Sequence, residues 1–210
     1  MTRCETLHSV TFKNLVQFMS GTPGMKTHRR CLVVLLLLAM GCPVARAEQF
    51  TVFPDRKELR SPDGHFVIRS VDRSSRPGEL TGIFHTLVIE EPATGSVRKL
   101  YDYVGRAAVA WSGSDFIIVT DYVNKKTSRV LVFPMNANRE VLVVDKVQMS
   151  SLIPETQSIH LQQNDHVFVE VSSVEGTTLN LRVWGYGRRD ATGFRLLCRY
   201  DLAGGSVACK

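Results

Sequence analysis

Few residues in this chain could do chemistry. Past residue 50 the histidines are His65, His85, His160 and His166, and the cysteines are Cys198 and Cys209. Zinc sites space their Cys and His ligands a few residues apart, and no pair here does so; no metal or cofactor is expected. The stretch "AWSGSD" at 110–115 lacks the first glycine of a Gly-x-Ser-x-Gly nucleophile elbow. "GTPGMK" at 21–26 has the wrong length for a phosphate-binding loop. Glu90 and Glu91 are neighbours, and on a strand neighbours point to opposite faces. No catalytic set is assembled by type and spacing, so the sequence reads as a binding or scaffold module rather than an enzyme. The alternative is a hydrolase or lyase subunit whose site is built from loops.

The two cysteines carry the clearest covalent prediction. "FRLLCRYDLAGGSVACK" reads as a hairpin turning at Ala203-Gly204. In that register Tyr200 faces Val207, Arg199 faces Ala208 and Cys198 faces Cys209. Residues directly opposed in an antiparallel pair lie within disulfide reach, and lone cysteine pairs in an oxidising compartment are normally bonded.

Met25 opens "MKTHRRCLVVLLLLAMGCPVARAEQF". Lys26, Arg29 and Arg30 form a positive start, Cys31 to Met40 an apolar run, and Ala45-Arg46-Ala47 a small-residue cleavage site. This is the layout of a secretory signal peptide. The run is too short for a membrane span, which needs about 20 residues. Cleavage before Glu48 is expected, giving a periplasmic or secreted protein with no membrane span. Cys42, after "LLAMG", sits where a lipoprotein would be acylated, but Ala39 and Met40 depart from that pattern and lipidation is not expected. Residues 1–24 precede a complete signal and read as an N-terminal extension, with Met25 a second candidate start.

The whole chain has a formal charge of +6. Residues 1–47 hold six of the bases and one acid, Glu5, so the rest keeps 20 bases against 19 acids. That balance leaves no basic footprint for nucleic acid.

Tyr, Trp and Arg anchor interfaces. They gather in "YDYVGRAAVAW", "TDYVNKKTSR" and "VWGYGRRD", which bring Tyr103, Arg106, Trp111, Tyr122, Lys125, Trp184, Tyr186 and Arg188 near strand ends. Of these segments, Arg106, Tyr122, Asn124 and Arg188 are the expected binding residues. Trp111 and Trp184 are expected in the core, where Trp is mostly buried.

The elements that must position these residues are short, alternating and β-branched, and they are separated by "PDG", "PATG", "NKK", "NAN", "EGT", "DATG" and "AGG". That pattern predicts an all-β, antiparallel fold. "SPDGHFVIRS" from Ser61 has relatives in "SGSDFIIVTD" from Ser112 and "QQNDHVFVEV" from Gln162, which sets Phe66, Phe116 and Val167 as equivalents. The spacing predicts three units, at 59–111, 112–161 and 162–210. Each holds a first strand, a second near 85–91, 128–134 or 178–186, and a third near 97–103, 140–146 or 194–201. The fourth strands would be "AAVAWSG", "IHLQQND" and "SVACK". A short helical turn is expected near "SSLIPET". His65 and His166 precede equivalent strands and are expected in turns.

"LRSPDGHFVIRSV" followed by "LVIEEPATGSVRKLYDY", residues 59–103, resembles the PD40 repeat of TolB-like β-propellers; the other two units resemble it weakly. The resemblance implies a propeller-like fold of about three four-stranded blades and a protein partner in the cell envelope. Three blades fall short of a closed ring, so either the chain is a compact three-unit barrel or sandwich, or two copies join as a homodimer to make six. A single β-sandwich is the alternative.

Overall fold

The computed structural model describes residues 50–210 except 76, 79–81 and 137–139. The signal peptide, its cleavage point and Cys42 lie outside the described residues.

The chain is all-β and antiparallel almost throughout, in three successive four-stranded meanders. The first is β2 (Glu58–Arg60), β3 (Val67–Arg73), β4 (Phe84–Glu91) and β5 (Ser96–Val104), which form a sheet of their own. The second is β6 (Ala107–Ser112), β7 (Phe116–Asn124), β8 (Thr127–Pro134) and β9 (Leu142–Val144), with β1 (Thr51–Phe53) added beside β6. The third is β10 (His166–Glu175), β11 (Thr178–Tyr186), β12 (Phe194–Asp201) and β13 (Val207–Cys209). Helices α1 (Lys146–Leu152) and α2 (Glu155–Gln163) join the second meander to the third.

The second and third meanders merge into one sheet through β8. Its middle pairs with β9, while its start runs parallel to β10, with Thr127 opposite Val167. Ser128 fixes this junction: its hydroxyl donates to the Val169 carbonyl at 2.9 Å and accepts from the Val169 N–H at 3.0 Å. The sheets do not close into a barrel.

Two cores hold the layers together. One lies between the first sheet and one face of β6–β8, and contains Ile68, Leu87, Ile89, Val109, Trp111, Ile117, Val119 and Leu131. The other lies between the opposite face of β7–β8 and the third meander, and contains Ile118, Val130, Val132, Val167, Val169, Leu181, Val183 and Tyr200, with Met149 and Leu161 from the helices. The second meander is thus buried on both faces. Its strand β7 opens as a continuous apolar run, "FIIV", because neither face meets water.

The turn Ser61-Pro62-Asp63-Gly64 forms as its residues require. The Gly64 N–H donates to the Ser61 carbonyl at 3.0 Å, and Gly64 has φ 76°, which glycine adopts without strain. Asp63 accepts from the Ser61 hydroxyl at 2.6 Å and from the His65 N–H at 3.0 Å. These bonds, Ser61 first, hold its carboxyl down at about 2.

Phe66 and Ile68 face the first core, whereas Phe116 with Ile118 and Val167 with Val169 both face the second. The equivalent pairs are all inward, but the second and third meanders turn theirs toward each other. Other expectations shift. β6 pairs with β7, so "AAVAWSG" belongs to the second unit's sheet rather than the first's. "IHLQQND" is largely helical, as the C-terminal part of α2. The strand expected at 140–146 stops at Val144, because the Asp145 side chain accepts from the Gln148 N–H and caps α1. Cys198 and Cys209 are bonded, in the register expected: their Cα atoms are 4.0 Å apart, with Arg199 opposite Ala208 and Tyr200 opposite Val207.

Candidate binding face

Alternation along β10–β12 sends Val167, Val169, Leu181, Val183, Cys198 and Tyr200 into the core. The intervening residues therefore stand on the outer face. There His166 opposes Tyr186, Phe168 opposes Trp184 and Glu170 opposes Arg182, while Trp184 and Arg182 are flanked on β12 by Arg195 and Leu197. The rings stack in rungs: His166 on Tyr186 at 4.4 Å and 9°, and Phe168 on Trp184 at 4.4 Å and 21°. Arg182 donates from Nε to Glu170 at 3.1 Å, and Glu170 is nearly buried beneath it. Tyr186, Leu197 and Tyr122 remain exposed by 43%, 42% and 38%, which makes this an apolar strip rimmed by arginine.

Two side-chain atoms here are shut off from solvent without a hydrogen-bond partner: Trp184 Nε1 and His166 Nδ1. Most buried polar atoms are satisfied, so such atoms ask for an explanation. Trp184 lines a cleft of about 650 Å³ with Arg182, Tyr186, Thr192, Phe194 and Arg195.

The loop 187–193 walls that cleft and is latched to α2. Asp190 accepts from Asn164 Nδ2 at 2.6 Å and lies 2.8 Å from His160 Nδ1. Asn164 Oδ1 in turn accepts from the Arg189 and Asp190 N–H groups at 3.2 and 3.0 Å. The His160 contact, more than any other, holds the Asp190 carboxyl below its ordinary range.

The expected binding residues are distributed unevenly. Tyr122 borders the face: burial first, and then Glu170, push its phenol up, while Arg182 and Arg106 pull the other way. Arg106 is exposed and pairs with Asp55 at 2.9 Å. Asn124 closes the β7–β8 hairpin, its Oδ1 accepting from the Lys126 N–H at 2.7 Å; it is a turn residue. Arg188 stands beyond the latch, 3.6 Å from Asp165, in a second, polar cleft of about 520 Å³ with Lys146, Gln162 and Arg189. The four do not form one site.

Trp111 is buried at 3% exposure, as expected. Trp184 corrects the expectation: it is half-buried on the outer face rather than in the core. The signal was present in "TLNLRVWGY", where Leu179, Leu181 and Val183 claim the inner face and leave Asn180, Arg182, Trp184 and Tyr186 outside. His65 lies in its turn, but His166 is already the first residue of β10. His85 is buried, stacked on Tyr103 at 5.0 Å and 2.9 Å from Asp72.

Among the described residues no group of His, Cys, Asp and Glu could hold a metal ion, and no helix is long and apolar enough to cross a membrane. No protein-family model, curated protein or solved structure matches the chain.

Proposed function

We propose that this chain is an exported binding or scaffold module of the cell envelope, periplasmic or secreted, that holds a protein partner on the outer face of β10–β12. The observation that carries this reading is the pair of stacked aromatic rungs beside exposed Tyr122 and Leu197, with Trp184 Nε1 left without a partner. Aromatic side chains flanked by arginine are the usual anchors of protein interfaces. Export rests on the Met25–Ala47 segment and agrees with a bonded cysteine pair, which oxidising compartments favour. The likeness of residues 59–103 to TolB-like repeats is a fold-level analogy for an envelope partner.

Crosslinking the mature chain in envelope extract tests this. One protein should be captured by the native chain and lost with Tyr122→Ala/Trp184→Ala. Capture that ignores both substitutions overturns the reading. A second reading, a hydrolase or lyase subunit, draws on the His160–Asp190 pair beside the cleft; turnover of a model ester or glycoside that vanishes in His160→Gln would favour it.

A further inference from the structure

We propose that a second copy of this chain docks along β5. The two β5 strands pair antiparallel about a two-fold axis between Leu100 and Tyr101, so that Lys99 of each copy opposes Asp102 of the other. This goes beyond the binding face of β10–β12 and does not rest on it.

The first observation is the edge. β5 pairs with β4 from Ser96 to Val104, and it ends the strand order of its four-stranded sheet. Among the described residues no strand pairs along its other side. A chain end does not create this edge, since Gly105 and Arg106 carry β5 straight into β6. Phe50, the first described residue, packs against the other core. With cleavage before Glu48, two residues precede it, a reach of about 7 Å. An unpaired edge of 9 residues is a template for another strand.

The second observation is that the edge complements itself. β5 carries a bulge at Leu100, because Leu87 faces Tyr101 while Val88 faces Lys99. The bulge lets Lys99 and Asp102, three residues apart, share the outer face, where they lie 2.6 Å from each other. Val97 and Val104 stand on the same face, opposite Glu90 and Phe84, and are exposed by 59% and 44%. A two-fold axis joins residues i and j in both directions. About the axis proposed, Lys99 meets Asp102 twice and Val97 meets Val104 twice, each pair on one face of the joined sheet. Opposite charges placed directly across strands are favourable. Moving the axis by one residue sets outer side chains against inner ones and breaks all of these pairs.

A strand edge covers less than the standard interface of about 1,600 Å², so the dimer should be reversible. Sedimentation equilibrium of the mature chain over a concentration series should show monomer and dimer. Lys99→Asp and Asp102→Lys each set like charges across the axis twice, and each should weaken dimerisation at least about tenfold. Mixing the two variants should restore it, because the mixed dimer pairs opposite charges at both crossings. That rescue cannot come from the Lys99–Asp102 contact within a strand, which both variants lack. Asp102 also accepts from Thr86, so thermal melting checks that its variant folds. If it does not, Val97→Asp and Val104→Lys replace the pair, and the same rescue on mixing is expected. Monomer at every concentration, a dimer indifferent to the single substitutions, or a mixture no tighter than its components overturns the proposal.

Discussion

The Tyr101 hydroxyl, on the outermost strand of the first sheet, donates to Asp121 Oδ2 on β7 at 2.7 Å, and so ties the two sheets together through a buried carboxylate. Arg129 completes the brace, reaching Asp121 at 3.1 Å and the Tyr101 oxygen at 2.6 Å. Tyr101→Phe leaves Asp121 one donor short and should cost about 1–3 kcal/mol in urea unfolding. Burial first, then Asp121, push the Tyr101 phenol up to about 12. The unfolded phenol loses its proton near 10, before the folded one. This contribution is therefore complete below pH 10 and lost as pH rises toward 12. Tyr101→Phe should flatten the alkaline decline in stability.

Asp63 gives the opposite sign. Its folded carboxyl sits at about 2, below the unfolded value near 3.9. The turn's contribution is present above the unfolded value and disappears as pH falls through about 2. An NMR titration should place the Asp63 midpoint near 2, and Asp63→Asn should speed amide exchange at His65, whose N–H loses a charged acceptor.

The two tryptophans should separate stability from binding. Trp111→Ala empties part of the core between the sheets and should cost about 3–5 kcal/mol. Trp184→Ala trims a half-exposed ring and should cost no more than about 1.5 kcal/mol, the scale of a lost aromatic pair, while removing partner capture.

Denatured, unreduced protein should show no free thiol at Cys198 or Cys209. Reduction should lower stability by at most about 3 kcal/mol, because the closed loop is short.

Exported protein should have the mass of a chain starting at Glu48. A diacylglyceryl group on Cys42 would overturn both the cleavage point and the expectation that Cys42 is not lipidated.

The fold was legible where one face of a strand meets water. In "TLNLRVWGY" alternation marks the strand, and in "FRLLCRYDLAGGSVACK" the turn at Ala203-Gly204 sets the register and the cysteine pairing. It was less legible where both faces are buried or where a cap intervenes. "EVLVVDKV" reads as a full strand, yet Asp145 ends it and starts a helix. "IHLQQND" passes for a strand because His160 and Leu161 sit among polar residues that suit α2 equally well. The candidate face was half legible. Tyr122 was identified by type alone, but Arg195 and Leu197 gain their meaning from a cross-strand register that joins residues separated by the loop 187–193. Asn124 and Arg188 looked similar in sequence; hydrogen bonding distinguishes a turn residue from a cleft residue.

The two-sided burial of the second meander has a consequence for how the molecule can come apart. Ile117 and Val119 need the first sheet, and Ile118 and Val132 need the third meander. A fragment lacking either neighbour would expose a whole apolar wall, so neither end can be lost while the rest persists. Partial digestion should leave intact protein or small peptides, with no stable half-length core. Unfolding should run as a single transition, with the middle layer acting as the keystone of an arch.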